Sequence, residues 1–299
     1  MAITAAKKTT DFDGFIKPEQ AAPIFDEAVK ASVVQQLARR VPLAASGVEF
    51  PIVTSKPTAN WVGEAGTKPT TEAGLGLIPM KPKKLAAIAV SSAEVVRANP
   101  GGYSETLRAL LAEAFATAFD MAALHNLGGD GTRPGPFDNY VAETAQKVEL
   151  GANLYDDLVS GIDILLKGKK RARGFAFDTM METAFLSAKD EAGRPLFVEP
   201  HYTDTAQTVQ SARLLNRASF LGDGVGAGLL QGFVGDWTKT AWGVVGGITF
   251  DVSTQATVTI NGEPTSLWEH NLVAIRAEAE YGFVVADKDA FVKFENAEG

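Results

Sequence analysis

The stretch GGYSETLRALLAEAFATAFDMAALHNLGG, Gly101 to Gly129, decides how the rest of the chain is read. Its apolar residues recur at Leu107, Leu111, Ala114, Ala118, Ala122 and His125, and Leu110, Phe115, Phe119, Met121 and Leu124 widen the stripe. That is helical spacing sustained over about six turns. It predicts one long helix from Ser104 to Asn126, capped by Ser104 and ended by a left-handed Gly128 or Gly129. At 1.5 Å per residue such a helix spans roughly 35 Å. Only Glu105, Arg108, Glu113 and Asp120 are charged along it, and its seven alanines favour helix and let neighbours approach closely. A spine with so little polar face has to be covered on both flanks, by other parts of the chain or by other copies of it. The charges recur too often for a membrane span. Ala118, among the small residues, is the expected point of close approach by strands.

The 299 residues are 45% hydrophobic and 21% charged, which suits one large globular domain or two smaller ones. No cysteine is present, so disulfides, thiolate catalysis and cysteine metal sites are excluded. His125, His201 and His270 are too far apart in sequence to offer metal-ligand spacing, and no metal or cofactor is expected. Met1 to Asp13 has no apolar run, so neither a signal peptide nor an anchor is expected, and the chain is read as made and kept in a cytoplasm without membrane contact. A net charge of -8 argues against a surface that wraps nucleic acid.

Working outward from the spine, residues 1 to 22 lack periodicity and read as an extended arm. Pro23, Asp26 and Glu27 then open a short amphipathic helix with Phe25, Val29, Val33 and Leu37 on one face, closed by Arg39 and Arg40 before Pro42. Phe25 heads an apolar face that must dock somewhere. From Val48 to Ser91 the period becomes that of strands: VEFPIV and NWVG run out, EAGTKPTTEAGLG makes a turn-rich tip, and LAAIAVS runs back. Pro79, Pro82, Lys81, Lys83 and Lys84 do not suit a central strand, so this is read as an exposed two-stranded arm, marginal by itself. Trp61 on such a ribbon must either stay wet or enter another surface, and insertion is the favoured reading.

Beyond the spine, Asn153 caps a second helix with the stripe Leu154, Leu158, Ile162 and Leu165. A strand, GFAFDT, a helix from about Met180 to Lys189 and the turn KDEAGRPLF follow. Leu221 to Gly247 holds nine glycines among apolar residues, which suggests short strands and tight turns. In the tail, Val273, Ile275, Ala277, Ala279, Tyr281 and Phe283 point one way while Arg276, Glu278 and Glu280 point the other, giving a long half-buried strand, and AFVKF is a further short one. The fold class is α+β, with the late strand as partner of the spine and residues 150 to about 245 as an inserted lobe.

Catalytic constellations are not found. The glycine run lacks the Gly-Lys-Ser/Thr ending of a phosphate loop and has no GxGxxG, so it reads as a glycine-rich sheet corner. No Gly-x-Ser-x-Gly elbow is present. Glu64 and Glu72 sit in the arm without a base nearby and read as solvated loop residues. The run KGKKRARG has five basic residues from Lys167 to Arg173. It either contacts nucleic acid or an acidic partner or completes the dipole of the helix ending there, and the last is the blander reading.

The succession of N-terminal arm, lysine-bearing hairpin, spine helix, inserted lobe and final long strand resembles the major capsid protein of tailed bacteriophages, with its Hong Kong 97-type fold. ANWVGEAGTKPTTEAGLG followed by PKKLAAIAVSSAEVV is similar to that family's extended loop entering its peripheral domain. FVGDWTKTAWGVVGGITFDV and NLVAIRAEAEYGFVVADKDAFVKF are similar to its closing strands. The resemblance implies an N-terminal arm at 1–46, an extended loop at 47–90, a peripheral domain at 91–149 and 246–299, and an axial domain at 150–245. It further implies a non-enzymatic virion protein assembled in the bacterial host cytoplasm into hexamers and pentamers of an icosahedral shell around double-stranded DNA, the DNA only weakly contacted. The residues expected at subunit contacts are Phe25, Trp61, Glu64, Lys68, Lys81, Lys83, Lys84, Ala118 and Arg171. A separate scaffolding protein, a portal and cementing proteins are further implied partners. Some members weld subunits through a loop lysine; Lys56 and Lys68 lie in that loop, but no partner asparagine or promoting carboxylate can be matched, so no crosslink is assigned. An encapsulin, a nanocompartment of the same fold, is the alternative, and an enzyme using the glycine-rich lobe is a more distant one.

Overall fold

A computed structural model describes residues 32–98, 103–188 and 210–297, apart from the single residues 65, 130, 133 and 152. The expected helix start at Pro23 with Phe25, the Asn99–Gly102 lead-in to the spine and the turn KDEAGRPLF lie outside these residues. In chain order the elements are α1 (Val33–Leu37), β1 (Arg39–Arg40), β2 (Val48–Ser55), β3 (Gly74–Met80), β4 (Lys83–Ser92), α2 (Ala93–Ala98), the spine α3 (Tyr103–His125), β5 (Lys147–Leu150), α4 (Leu154–Lys167), β6 (Gly174–Phe177), α5 (Glu182–Ser187), β7 (Gln210–Leu214), β8 (Arg217–Leu221), β9 (Leu230–Gly235), β10 (Thr240–Ser253), β11 (Thr257–Ile260), β12 (Glu263–Ser266), β13 (Leu272–Val285) and β14 (Phe291–Asn296).

The alternation read in the tail makes β13 the middle of a four-stranded sheet ordered β1-β10-β13-β4. Its face carrying Ala277, Ala279, Tyr281 and Phe283 closes onto Phe115, Phe119, Ala122 and Ala123 of the spine, which join one core cluster. The late strand is therefore the partner of the early helix, as its pattern requires. The spine begins one residue earlier than expected, with Ser104 inside its first turn. It ends at Asn126, whose φ of 53° supplies the left-handed position and whose backbone N–H donates to Ala122 O at 3.0 Å. Asn tolerates that conformation, so the following glycines are not needed for it.

A second, six-stranded sheet is ordered β5-β14-β9-β6-β8-β7. α4 lays Leu158, Ile162 and Leu165 on it, against Phe175, Phe177, Val234 and Phe294. Gly161 is small because a Cβ there would come within 2.7 Å of Phe294 Cζ. Asn153 occupies the N-cap position, but its side chain donates to Asp156 at 2.7 Å rather than capping. The glycine run serves as the sheet corner its texture suggests: Cβ atoms at Gly232 and Gly235 would collide with Phe177 and Phe291, and one at Gly224 would lie 3.0 Å from Asp120 Cβ.

Three expectations are corrected. Arg39 and Arg40 do not close a helix; they pair in parallel with Ala241 and Trp242, because α1 ends at Leu37. Lys83 and Lys84 open β4, which is not the return limb of the arm but an edge strand of the body sheet, paired from Tyr281↔Lys83 to Leu272↔Ser92. An edge strand accepts lysines that a central one would not. β14, expected with the peripheral part, lies in the six-stranded sheet between β5 and β9, so the last strand returns into the second lobe.

Candidate assembly surface

The arm is β2 and β3, in register from Val48↔Met80 to Val53↔Leu75, with a bulge before Ser55↔Gly74. Register puts Val48, Phe50, Ile52, Ile78 and Met80 on one face and Pro51, Val53, Leu75 and Leu77 on the other. The first face is seated at its base. Gly243 and Gly282 are directly paired in the body sheet, and a Cβ on either would come within 2.8 Å of Leu43. This notch takes Leu43 and Met80, which with Val41, Val48, Phe50 and Ile78 form a small core under the arm's root. The second face has no cover: Val53 is 61% exposed, Leu75 77% and Leu77 63%, and Trp61 at the tip is fully exposed. Few bonds hold the tip, among them Thr58 N–H to Thr71 Oγ1 at 2.9 Å and Gly74 N–H to Ser55 Oγ at 2.7 Å.

The nine residues singled out from the sequence fall into groups. Trp61, Glu64 and Lys68 are exposed together on the arm tip, and Lys81 is exposed where the arm rejoins the body. Lys83, Lys84 and Ala118 line one cavity of about 50 Å³, floored by Phe119, Phe137 and Tyr281. Ala118 is half-buried there, facing strand residues across the cavity. By contrast, Ala112, Ala116 and Ala123 are each 1% exposed or less. Lys84 meets Glu278 at 3.2 Å. Arg171 is exposed and has no partner among the described residues. The rest of its run is largely neutralised: Lys167 lies 2.5 Å from Asp163, Arg173 3.0 Å from Asp236, and Lys170 pairs with Asp287. Phe25 lies outside the described residues.

Two groups escaped the sequence reading. Trp268 is 72% exposed just past β12, next to the fully buried Leu267. Its signal was a lone tryptophan in the polar run SLWEHN. Asp120, counted from sequence only as one of the spine's few charges, is buried, accepting from Ser32 Oγ at 2.6 Å, Val33 N–H at 2.7 Å and Val34 N–H at 3.1 Å. Burial pushes its pKa up to about 7 against those three bonds, which favour the ionised form. One turn further, His125 is also buried, its Nε2 2.7 Å from Val225 O. Among the described residues no group of three or more His, Cys, Asp or Glu could hold a metal ion, and no helix is long and apolar enough to cross a membrane.

The model of the phage capsid family matches residues 13–296. The "Probable major capsid protein gp17" of Mycobacterium phage L5 is 41% identical, covering 96% of this chain and 91% of that protein. The protein of the same description in Mycobacterium phage D29 is 40% identical, covering 96% and 92%. A solved structure from Mycobacterium phage Ogopogo superposes with a TM-score of 0.73 at 22% identity, covering 98% of this chain and all of that one. One from Gordonia phage Cozz gives 0.70 at 22% identity, covering 95% and 90%. The last two share the Hong Kong 97-type fold.

Proposed function

The chain belongs to the phage capsid family, and from that premise we propose that its copies close on one another through the arm to build the wall of a phage head. It is a major capsid protein, a structural component of the virion. The nanocompartment alternative is not favoured, since relatives at 40 and 41% identity are described as major capsid proteins of phages.

The observation that carries the assembly reading is the uncovered apolar face of the arm. A ribbon with its root in a core of its own chain and its outer face and tryptophan in water is incomplete as a monomer. Covering Trp61 alone is worth roughly 2–3 kcal/mol per copy. A second copy is the natural cover, because a closed shell repeats one contact at every subunit. Hexamers and pentamers are the arrangement in which we place it. In this reading the arm proper is 47–82, the spine and four-stranded sheet make the peripheral part, and the six-stranded sheet with α4 makes the axial part. The pairing of β4 and β14 supports these limits. Trp61, Glu64, Lys68, Lys81, Lys83, Lys84 and Arg171 are proposed contact residues, supported by their exposure. The acidic balance suits a wall that holds packed DNA without gripping it. Assembly in the host cytoplasm, with a scaffolding protein, a portal and cementing proteins as partners, completes the proposal. Electron microscopy of particles from the expressed chain tests it: large or polymorphic closed shells are expected, and small uniform empty cages would return the nanocompartment reading.

A further inference from the structure

α1 joins three parts of the molecule within eight residues. Its start is bonded to Asp120 of the spine, Leu37 Cδ2 approaches to where a Cβ on Gly174 would be 2.9 Å away on the six-stranded sheet, and β1 immediately after it pairs with β10. Of these ties the one at Asp120 is a polar side-chain anchor at the very start of this segment. Both carboxylate oxygens are used: Oδ1 takes Ser32 Oγ and Val34 N–H, and Oδ2 takes Val33 N–H. Ser32 Oγ in turn accepts from Gln35 N–H at 3.1 Å, so the first turn of α1 is organised around this one acid.

We propose that Asp120 is a proton-controlled latch that sets how firmly the N-terminal segment is held on the spine. The chemistry follows from where the group sits. No charged side chain compensates it: its shift is burial opposed by the bonds from Ser32, Val33 and Val34 alone. The ionisable groups on neighbouring elements are turned to other partners. His125 on the spine meets Val225 O, Asp223 takes Thr179 Oγ1, and Asp178 takes Gly226 N–H at 3.0 Å. Opening the latch puts Asp120 into water, where a carboxyl ionises near its usual value. The closed state therefore holds its proton over a range in which the open state has lost it. Stability of the closed state is fully present below about pH 4 and declines as pH rises towards 7. Protonated, the acid keeps Val33 N–H on Oδ2 and can return its proton to Ser32 Oγ, so closure survives neutralisation. This goes beyond the capsid reading and does not depend on it, because it concerns one subunit.

Hydrogen exchange followed by mass spectrometry on the full chain, as purified subunits or capsomers, is the test. After correction for intrinsic exchange, protection of the peptide covering residues 32–40 should fall by at least about tenfold between pH 5.0 and pH 7.5. In Asp120→Asn the profile should be flat. Protection that does not change with pH in the wild type, or a wild-type slope retained in Asp120→Asn, overturns the latch. Should Asp120→Asn not fold, Ser32→Ala serves: it should lower protection at both pH values while keeping the slope, and unchanged protection would sink the proposal equally.

Discussion

The ring of Phe119, in the fifth turn of the spine, lies 5.0 Å from that of Tyr281 in β13, and this pair joins the early helix to the late strand. Phe119 also meets Phe137, Trp242 and Phe283 at 6.1 to 6.2 Å, so one side chain is shared by the spine, both long strands and the loop after the spine. Phe119→Ala should destabilise the subunit by about 3–5 kcal/mol, through lost burial and the cavity left behind. Leu110, 56% exposed on the same helix, is the control. Leu110→Ala should stay within about 0.5 kcal/mol. Urea unfolding of the two variants against the parent chain decides it, and equal losses would show that the pair does not hold the helix to the sheet.

Small residues on the spine are not equivalent. Ala116 is fully buried, whereas Ala118 is half-buried and borders the cavity with Lys83 and Lys84. Ala116→Leu should cost about 1–3 kcal/mol by overpacking. Ala118→Leu should leave the melting temperature of the subunit nearly unchanged, since the added methylenes enter open space. A subunit that melts much earlier with Ala118→Leu would mean the cavity is closed in solution.

The glycine run is explained by packing, and a pair of substitutions can check this. A Cβ at Gly224 would sit 3.0 Å from both Asp120 Cβ and Thr117 O, so Gly224→Ala has to displace the loop that crosses the spine. A loss of about 1–2 kcal/mol is expected. Gly63 in the arm has nothing within 4 Å, and Gly63→Ala should be neutral. Thermal melts that fail to separate the two would leave the glycines without a structural account.

How legible this was from sequence depended on whether a residue's environment is set locally. Strict period-2 alternation in β13 and a six-turn apolar stripe in the spine announced themselves, because each is enforced by one face against one core. The identity of the strand paired with β13 was not legible. Nothing local distinguishes LAAIAVS as the arm's return from LAAIAVS as the body's edge; pairing with Leu272–Tyr281 is long-range. The burial of Asp120 was not legible for the same reason. A carboxylate at helical spacing looks solvated until a segment 87 residues away in sequence covers it with N–H groups. Of the candidate contact residues, exposure of Trp61 was deducible from a ribbon without a core, while the grouping of Lys83 with Ala118 needed the sheet.

The basic run at the end of α4 is held by acids of its own chain. With Lys170 on Asp287 and Arg173 on Asp236, the excess positive charge offered outward is small. Capsomers should therefore show no steep salt-dependent affinity for duplex DNA in fluorescence anisotropy. Arg171→Glu combined with Lys170→Glu should not change DNA binding. A strong interaction that both salt and this double change abolish would assign the run to nucleic acid instead.

The arm offers the sharpest separation between folding and assembly. Its root is seated on the Gly243 and Gly282 notch through Leu43 and Met80, whereas the described residues of the tip beyond Ser55 contribute no buried apolar side chain to the body. Replacing residues 57–72 with a short Asn-Gly turn keeps the ladder from Val48↔Met80 to Ser55↔Gly74 and removes Trp61, Val62, Glu64 and Lys68. The shortened chain should be soluble, with circular dichroism and melting close to those of the parent subunit. Its particles should be absent or fragile, because each lost tip forfeits roughly 2–3 kcal/mol of tryptophan burial at every repeat of the contact. Trp61→Ala should give the milder form of the same defect. Light scattering and electron microscopy read the outcome. Shells of normal size and heat resistance from the shortened chain would show that the tip does not join subunits. An unfolded subunit would show instead that the tip belongs to its own fold, against the exposure of Trp61 on which the assembly reading stands.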